Sequence, residues 1–375
     1  MAREKEDSAQ DSRSDKRRLE DCRPDPAVTI ETIRKLPKTD LHCHLDGSMR
    51  LETIIELAKE GGIELPSLEP AELSKHLVME DNCKSLEQYI RAFDITLSVL
   101  QTREGLERAS YELACDAAAE NVKYLEVRYS PILHTKRHLK LAEIVDVVIE
   151  GLQRAEREKD IKTGVIICGI RHIKPESSLR LAELAVAYKD RGVVGFDLAG
   201  VEENFPAKEH QEAFQLVLDN NINCTLHAGE AFGPESIAQA IHRCGAHRIG
   251  HGTNLRKDGD LLNYVNDHRI PLEICVSSNV HTRSVRRLED HPVRLYYDYG
   301  LRVTLNTDNR LMSNTTSSQE LFKAAVQFEF TMEDIKNIIV AGFKSSFLSY
   351  RDKVRLLKRF LPELGRYPVY SRPLP

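Results

Sequence analysis

Eight short runs rich in β-branched and apolar residues recur along the chain, at 38–44, 123–129, 163–170, 193–198, 222–227, 247–251, 271–275 and 302–307. Stretches with helical patterning lie between most of them, such as Glu104–Glu120, Leu139–Lys159, Ser178–Arg191, Lys208–Asn220 and Pro234–Cys244, with a shorter one over Asp258–Asp267. Repeated strand–helix units imply a parallel sheet, because parallel neighbours need a crossover long enough to hold a helix. Eight such units predict an α/β fold, a closed (β/α)8 barrel of the TIM type, and 375 residues are ample for one.

The first interval breaks the rhythm. Seventy-eight residues separate His44 from Lys123, with extra helical pieces at Leu51–Glu60 and Leu86–Leu100. This predicts a helical insertion of about 50–105 after strand 1, on the face where such barrels carry their active sites. The expected layout is a charged disordered tail over 1–27, one barrel over 28–366 and a loose end over 367–375. A net charge of −5 gives no reason to expect nucleic acid or a membrane surface as partner. No apolar stretch approaches the roughly 20 residues of a membrane span. No hydrophobic run follows the first charges either, so no secretory signal is expected. The eight cysteines form no C-x-x-C pair, and several sit inside strand-like runs. They read as reduced core thiols of a cytoplasmic protein.

The polar residues at the strand ends carry the chemistry. His42 and His44 end strand 1, and in a strand side chains at i and i+2 share a face. Asp197 and Gly200 close strand 4, while His227, His251 and Asp308 end strands 5, 6 and 8. A barrel gathers those ends around one mouth. His42, His44, His227 and Asp308 then form a donor set of three imidazoles and one carboxylate, which suits one Zn²⁺ with a position left open for catalysis. Glu230 follows His227 by three residues. It is placed either as a general acid or base over the metal or as a carboxylate favouring the start of the next helix. His251 lies between two glycines and is either a further ligand or a group that polarises water. Water activated at such a site can attack an electron-poor ring carbon while a carboxylic acid protonates the neighbouring nitrogen, the division of labour used by nucleobase deaminases of another fold.

The segments Thr39–Ser48 (TDLHCHLDGS), His227–Glu230 (HAGE), Arg248–Thr253 (RIGHGT) and Leu305–Asn309 (LNTDN) resemble, in order and spacing, the signatures of the adenosine deaminase family across roughly 35–350. The resemblance implies hydrolytic deamination of adenosine and 2′-deoxyadenosine with one Zn²⁺ held by His42, His44, His227 and Asp308. It makes Glu230 the donor to purine N1 and His251 the group that orients the attacking hydroxide. It puts the Gly200 amide at N3, Asp46 at the ribose 5′-hydroxyl and His44 beside the substrate. The segment Ser85–Phe93 resembles the helix that lids the pocket. Its Leu86, Tyr89, Ile90 and Phe93 share one apolar face, which is equally the pattern of an ordinary core-facing helix. One position departs from the pattern: Asn309 stands where many members carry a second Asp. An Asn amide donates to N7 at any pH, whereas an Asp must be protonated to do so. Deamination of a related aminopurine (adenine, AMP or aminofutalosine) is the alternative within the same barrel.

Overall fold

A computed structural model describes residues 25–79 and 86–367. Eight parallel strands follow one another in chain order: β1 (Lys38–His44), β2 (Val122–Tyr129), β3 (Lys162–Ile170), β4 (Val193–Ala199), β5 (Asn223–Ala228), β6 (Arg248–His251), β7 (Leu272–Ile274) and β8 (Val303–Leu305). The circle closes between β1 and the segment after β8. The Asp308 amide donates to the His42 carbonyl at 2.8 Å, and the His44 amide donates to the Asp308 carbonyl at 2.7 Å. The predicted (β/α)8 barrel is therefore the observed fold.

The strands are buried along almost their whole length, as parallel strands covered outside by helices and filled inside by side chains must be. Helices between strands begin where the sequence supplies caps. Thr102 accepts from the Gly105 amide ahead of Arg103–Ala119, and Asp258 accepts from the Leu261 amide ahead of Gly259–Asp267. Three helices, Leu51–Gly61, Pro70–Leu77 and Leu86–Val99, stand between β1 and β2 ahead of the outer helix Arg103–Ala119, as expected for the insertion. The expected tails fall largely outside the described residues, at 1–24 and 368–375.

β7 and β8 are shorter than their apolar runs. β7 stops at Ile274 because a short helix, Val276–His281, follows at once. β8 stops at Leu305 because the chain must turn to present Asp308, whose φ is 62°. The six described cysteines are free thiols, and all but Cys115 are buried. Among the described residues no helix is long and apolar enough to cross a membrane.

Charged residues fill part of the barrel interior. Arg128 of β2 bonds Glu273 of β7 at 2.9 Å and Asp197 of β4 at 3.0 Å. Arg248 of β6 bonds Glu273 at 2.5 Å and also grips Glu126 of β2. β2 and β7 are not neighbours in the sheet, so these bonds cross the barrel. All five side chains are buried, and removing one partner of such a set leaves an uncompensated charge at a cost of about 3–5 kcal/mol.

Candidate active site

His42 and His44 leave β1 on one face, and His227 leaves β5 towards them. The Nε2 atoms of His42 and His44 each lie 3.1 Å from Nε2 of His227, and Oδ1 of Asp308 lies 3.4 Å and 3.3 Å from the first two. Four donors from β1, β5 and the turn after β8 thus converge. Zinc bound at about 2.0–2.1 Å by a tetrahedral set needs donors about 3.3 Å apart, so the spacing fits. The hydrogen bonds fit as well. His42 Nδ1 lies 2.9 Å from the Glu273 carboxylate and His227 Nδ1 3.0 Å from Asp197. A carboxylate only accepts, so each Nδ1 carries the proton and each Nε2 turns a lone pair inward. Lone pairs 3.1 Å apart repel unless a cation lies between them.

Glycine lets this happen at β6. A Cβ at Gly250 would sit 3.1 Å from the His42 ring and 3.2 Å from the His227 backbone. The next residue, His251, takes φ 64° and turns its buried ring to the same centre, 4.8 Å from the His42 ring. Its tautomer follows from a chain of bonds. The Val293 amide donates to His291 Nδ1 at 3.1 Å, so His291 Nε2 donates to Asn279 Oδ1 at 3.2 Å. The Asn279 amide nitrogen therefore faces His251 Nδ1 at 3.0 Å and donates to it. That leaves the proton of His251 on Nε2, 3.5 Å from Glu230. Burial and the nearby His42 hold His251 well below the usual histidine pKa, so it stays neutral.

Glu230 reaches the cleft from the turn after β5. Thr282 Oγ1 donates to its Oε1 at 2.9 Å. Burial, with the Asp308 carboxylate adding, pushes its carboxyl up to about 8. It is an acid at neutral pH. Burial alone would raise Asp308 too, but its interaction with His42, the largest of those opposing burial, overturns this and holds it well below the carboxylate range. Two carboxyl groups of one site are thereby pushed apart, one kept as acid and one as anion, which is a pattern of catalytic pairs. His251, Cys275 and Asp308 also approach one another, but burial first and Asp308 next keep the Cys275 thiol protonated.

The other expected residues gather less tightly. Asp46 lies two residues past β1, is 5% exposed, and its Oδ1 is buried without a hydrogen-bond partner. Gly200 follows β4 at φ 95°, a backbone that favours glycine. Asn309 packs on Gly47, where a Cβ would fall 1.8 Å from its Oδ1. Phe93 is partly buried and packs against the hydrophobic core. The side chains of Leu86, Tyr89 and Ile90 lie outside the described residues. Sequence reasoning missed Glu273, Arg128, Asn279, His291, Thr282 and Glu202 as parts of the site. For the first two the signal was present, since a charge inside an apolar strand run must find a partner.

A family model described as adenosine deaminase matches residues 37–361. The chain belongs to the adenosine deaminase family. It is 43% identical over 329 residues to a probable adenosine deaminase of Dictyostelium discoideum, covering 88% of this chain and 43% of that longer relative. It is 40% identical to the adenosine deaminase of Clostridium acetobutylicum, covering 88% of this chain and 98% of the relative. Among solved structures it resembles an adenine deaminase from Arthrobacter aurescens, with TM-score 0.81, 25% identity and coverage of 88% and 99%. It also resembles the N6-mAMP deaminase of Arabidopsis, with TM-score 0.79, 29% identity and coverage of 88% and 99%. The relatives and structural neighbours thus differ in the purine that their names state.

Proposed function

We propose that this chain hydrolyses adenosine and 2′-deoxyadenosine to inosine and 2′-deoxyinosine with release of ammonia, as a purine-salvage enzyme of the cytoplasm. The observation that carries the reading is Glu230, a carboxylic acid at neutral pH set beside four convergent metal donors. We further propose Zn²⁺ as the metal, held by His42, His44, His227 and Asp308. Zinc in such a set supplies Lewis acidity, lowering the pKa of a water to about 7.

The protein groups do the rest. The Nε2–H of His251 donates to the attacking oxygen and aims it at C6, and Asp308 accepts that oxygen's proton. Glu230 gives its own proton to N1, which drains electrons from C6 and makes it open to attack. The Asp308 proton then passes to the amine, the C6–N bond breaks with release of ammonia, and the proton left on the C6 oxygen returns to Glu230 as the carbonyl forms. Gly200 offers its amide to N3 and Asn309 its amide to N7. Asp46 accepts from the ribose 5′-hydroxyl, and His44 borders the sugar side of the cleft. We propose the insertion helix that carries Leu86, Tyr89, Ile90 and Phe93 as the lid of the purine cleft, within a single barrel over 28–366.

The alternative, deamination of a related aminopurine (adenine, AMP or aminofutalosine), draws support from two structural neighbours, one named an adenine deaminase and one an N6-mAMP deaminase. The lone Oδ1 of Asp46 favours a nucleoside over adenine or AMP, because a hydroxyl satisfies it, whereas a free base leaves it empty and a 5′-phosphate repels it. The test is ultraviolet absorbance after mixing the purified metal-loaded protein with adenosine, 2′-deoxyadenosine, adenine or AMP. Turnover of the two nucleosides well above the others is expected. Faster turnover of adenine or AMP would transfer the reading to that substrate.

A further inference from the structure

We infer that Glu202 is a positioning residue for Glu230, acting through the backbone of the turn that carries it. The inference rests on the deaminase reading above.

Glu202 stands two residues past Gly200, on the loop after β4, and is buried. Its Oε1 accepts from the Gly229 amide at 2.6 Å. Its Oε2 accepts from the amides of Glu230, Ala231 and Phe232 at 3.0, 2.7 and 3.0 Å. One carboxylate therefore collects four successive N–H groups, a concave nest of donors of the kind that holds anions. Bonds of this sort are charge-assisted and stronger than neutral ones. The nest needs Gly229 in the left-handed region, at φ 68°, and a Cβ there would strike Ile237 at 2.4 Å.

The opposite edge of the same turn is held from β6. Asn254 Nδ2 donates to the carbonyls of Gly229, Glu230 and Phe232 at 3.1, 3.1 and 2.9 Å. Thr253 Oγ1 donates to the Gly229 carbonyl at 2.9 Å. Both backbone groups of Glu230 are thus committed, one to the β4 loop and one to the β6 loop. Arg171, whose guanidinium bonds the carbonyls of His227 at 2.6 Å and Phe205 at 2.9 Å, lies close enough to Glu202 to offset its charge.

A helix-capping role does not account for this. The next helix, Pro234–His242, starts after Gly233, so the four amides precede its first turn. What they fix is the point from which the Glu230 side chain reaches the cleft. A misplacement of about 1 Å in a reacting group can cost about 10²-fold in rate.

The experiment is a double-mutant cycle on the metal-loaded protein with Glu202→Gln and Glu230→Gln. The glutamine keeps the shape but turns an N–H₂ against at least one of the four amides. Alone, Glu202→Gln is expected to lower kcat by about 10–10²-fold with KM little changed and metal content retained. In the Glu230→Gln background the same change is expected to cause no further loss, because the group it positions is already disabled. Asn254→Ala releases the turn from its carbonyl side and should behave alike, which keeps the inference testable where Glu202→Gln folds poorly. Losses that multiply in the Glu230→Gln background, or that appear in KM alone or through lost metal, overturn it. Failure of the wild type to deaminate adenosine, or full activity of Glu230→Gln alone, instead overturns the deaminase reading.

Discussion

Asp46 offers the sharpest test of which purine the cleft accepts. Its carboxylate is buried, and Oδ1 has no hydrogen-bond partner. An unsatisfied buried acceptor costs about 1–3 kcal/mol, so a ligand that donates to it recovers that amount. A nucleoside 5′-hydroxyl can donate and a 5′-phosphate cannot. The phosphate also brings its own negative charge. Two unit charges about 4 Å apart at an effective dielectric of about 20 repel by about 4 kcal/mol, which is roughly three decades in kcat/KM. Adenosine should therefore exceed AMP by about 10³-fold.

Asp46→Asn removes the charge and keeps the shape. Adenosine should lose about tenfold to a hundredfold, the worth of a charge-assisted bond, while AMP should lose little or gain. The adenosine-to-AMP ratio should collapse. pH adds an internal control. Burial, with Asp308 adding, pushes the Asp46 carboxyl up to about 7. The repelling anion is thus present above pH 7 and lost as pH falls through it, so discrimination by the wild type should be full at pH 8 and shrink near pH 6. The assay is the absorbance change for both substrates, with both proteins, at both pH values. Equal kcat/KM for adenosine and AMP on the wild type, or an unchanged ratio in Asp46→Asn, would refute the reasoning.

Glu230→Gln should retain metal and purine binding but lower kcat by about 10²–10⁴-fold; in the wild type the acid form is the active one, so kcat/KM should fall as pH rises past about 8, and a flat profile to pH 9.5 would contradict the assignment. Glu273→Gln replaces the carboxylate that orients His42 by a neutral amide and should weaken metal affinity by about 10–100-fold, with His227→Ala, which deletes a proposed ligand outright, as the calibrating loss; metal analysis after dialysis against a chelator reads both. With Asn309 donating to N7, 7-deazaadenosine should be bound about 1–3 kcal/mol more weakly than adenosine. Asn309→Leu should erase that difference, and an undiminished kcat/KM of the leucine variant for adenosine would remove Asn309 from the site.

The strands were legible because both of their faces are buried, which leaves short runs dominated by apolar and β-branched residues in the sequence. The convergence of His42, His44, His227 and Asp308 was legible because histidines at i and i+2 of a strand end share a face and barrel closure gathers strand ends. Their supports were not. Glu273 sits in Leu272-Glu273-Ile274, Arg128 in Val127-Arg128-Tyr129 and Asp197 in Phe196-Asp197-Leu198. Each shows that a buried charge exists, but its partner lies across the barrel, about 70 to 145 positions away in the chain, and only closure brings them together. Asn279 and His291 were hidden for another reason. Their roles depend on which ring nitrogen faces which amide, and that is a property of side-chain direction rather than of spacing. The ends of β7 and β8 were read too long because Cys275 extends the apolar run of β7, and the β-branched Thr307 the strand-like composition of β8, after the strand geometry has stopped.

That early stop is part of how the site works. Most described non-glycine residues with positive φ are asparagines or surface turn residues, which tolerate it. His251 and Asp308 are different: both are buried at strand ends, and such a conformation costs on the order of 1–3 kcal/mol unless the surroundings over-determine it. At Asp308 the surroundings are the two histidines of the donor cluster themselves, since its amide bonds the His42 carbonyl and its carbonyl takes the His44 amide. The backbone contact that closes the barrel therefore also sets the direction of the carboxylate against the two imidazoles. A slip of one residue in this pairing would turn His42 and His44 to the opposite face of β1 and take Asp308 out of reach. Fold closure and donor geometry are one constraint here, and this is why both short signatures, one at each end of the chain, must be intact for either to function.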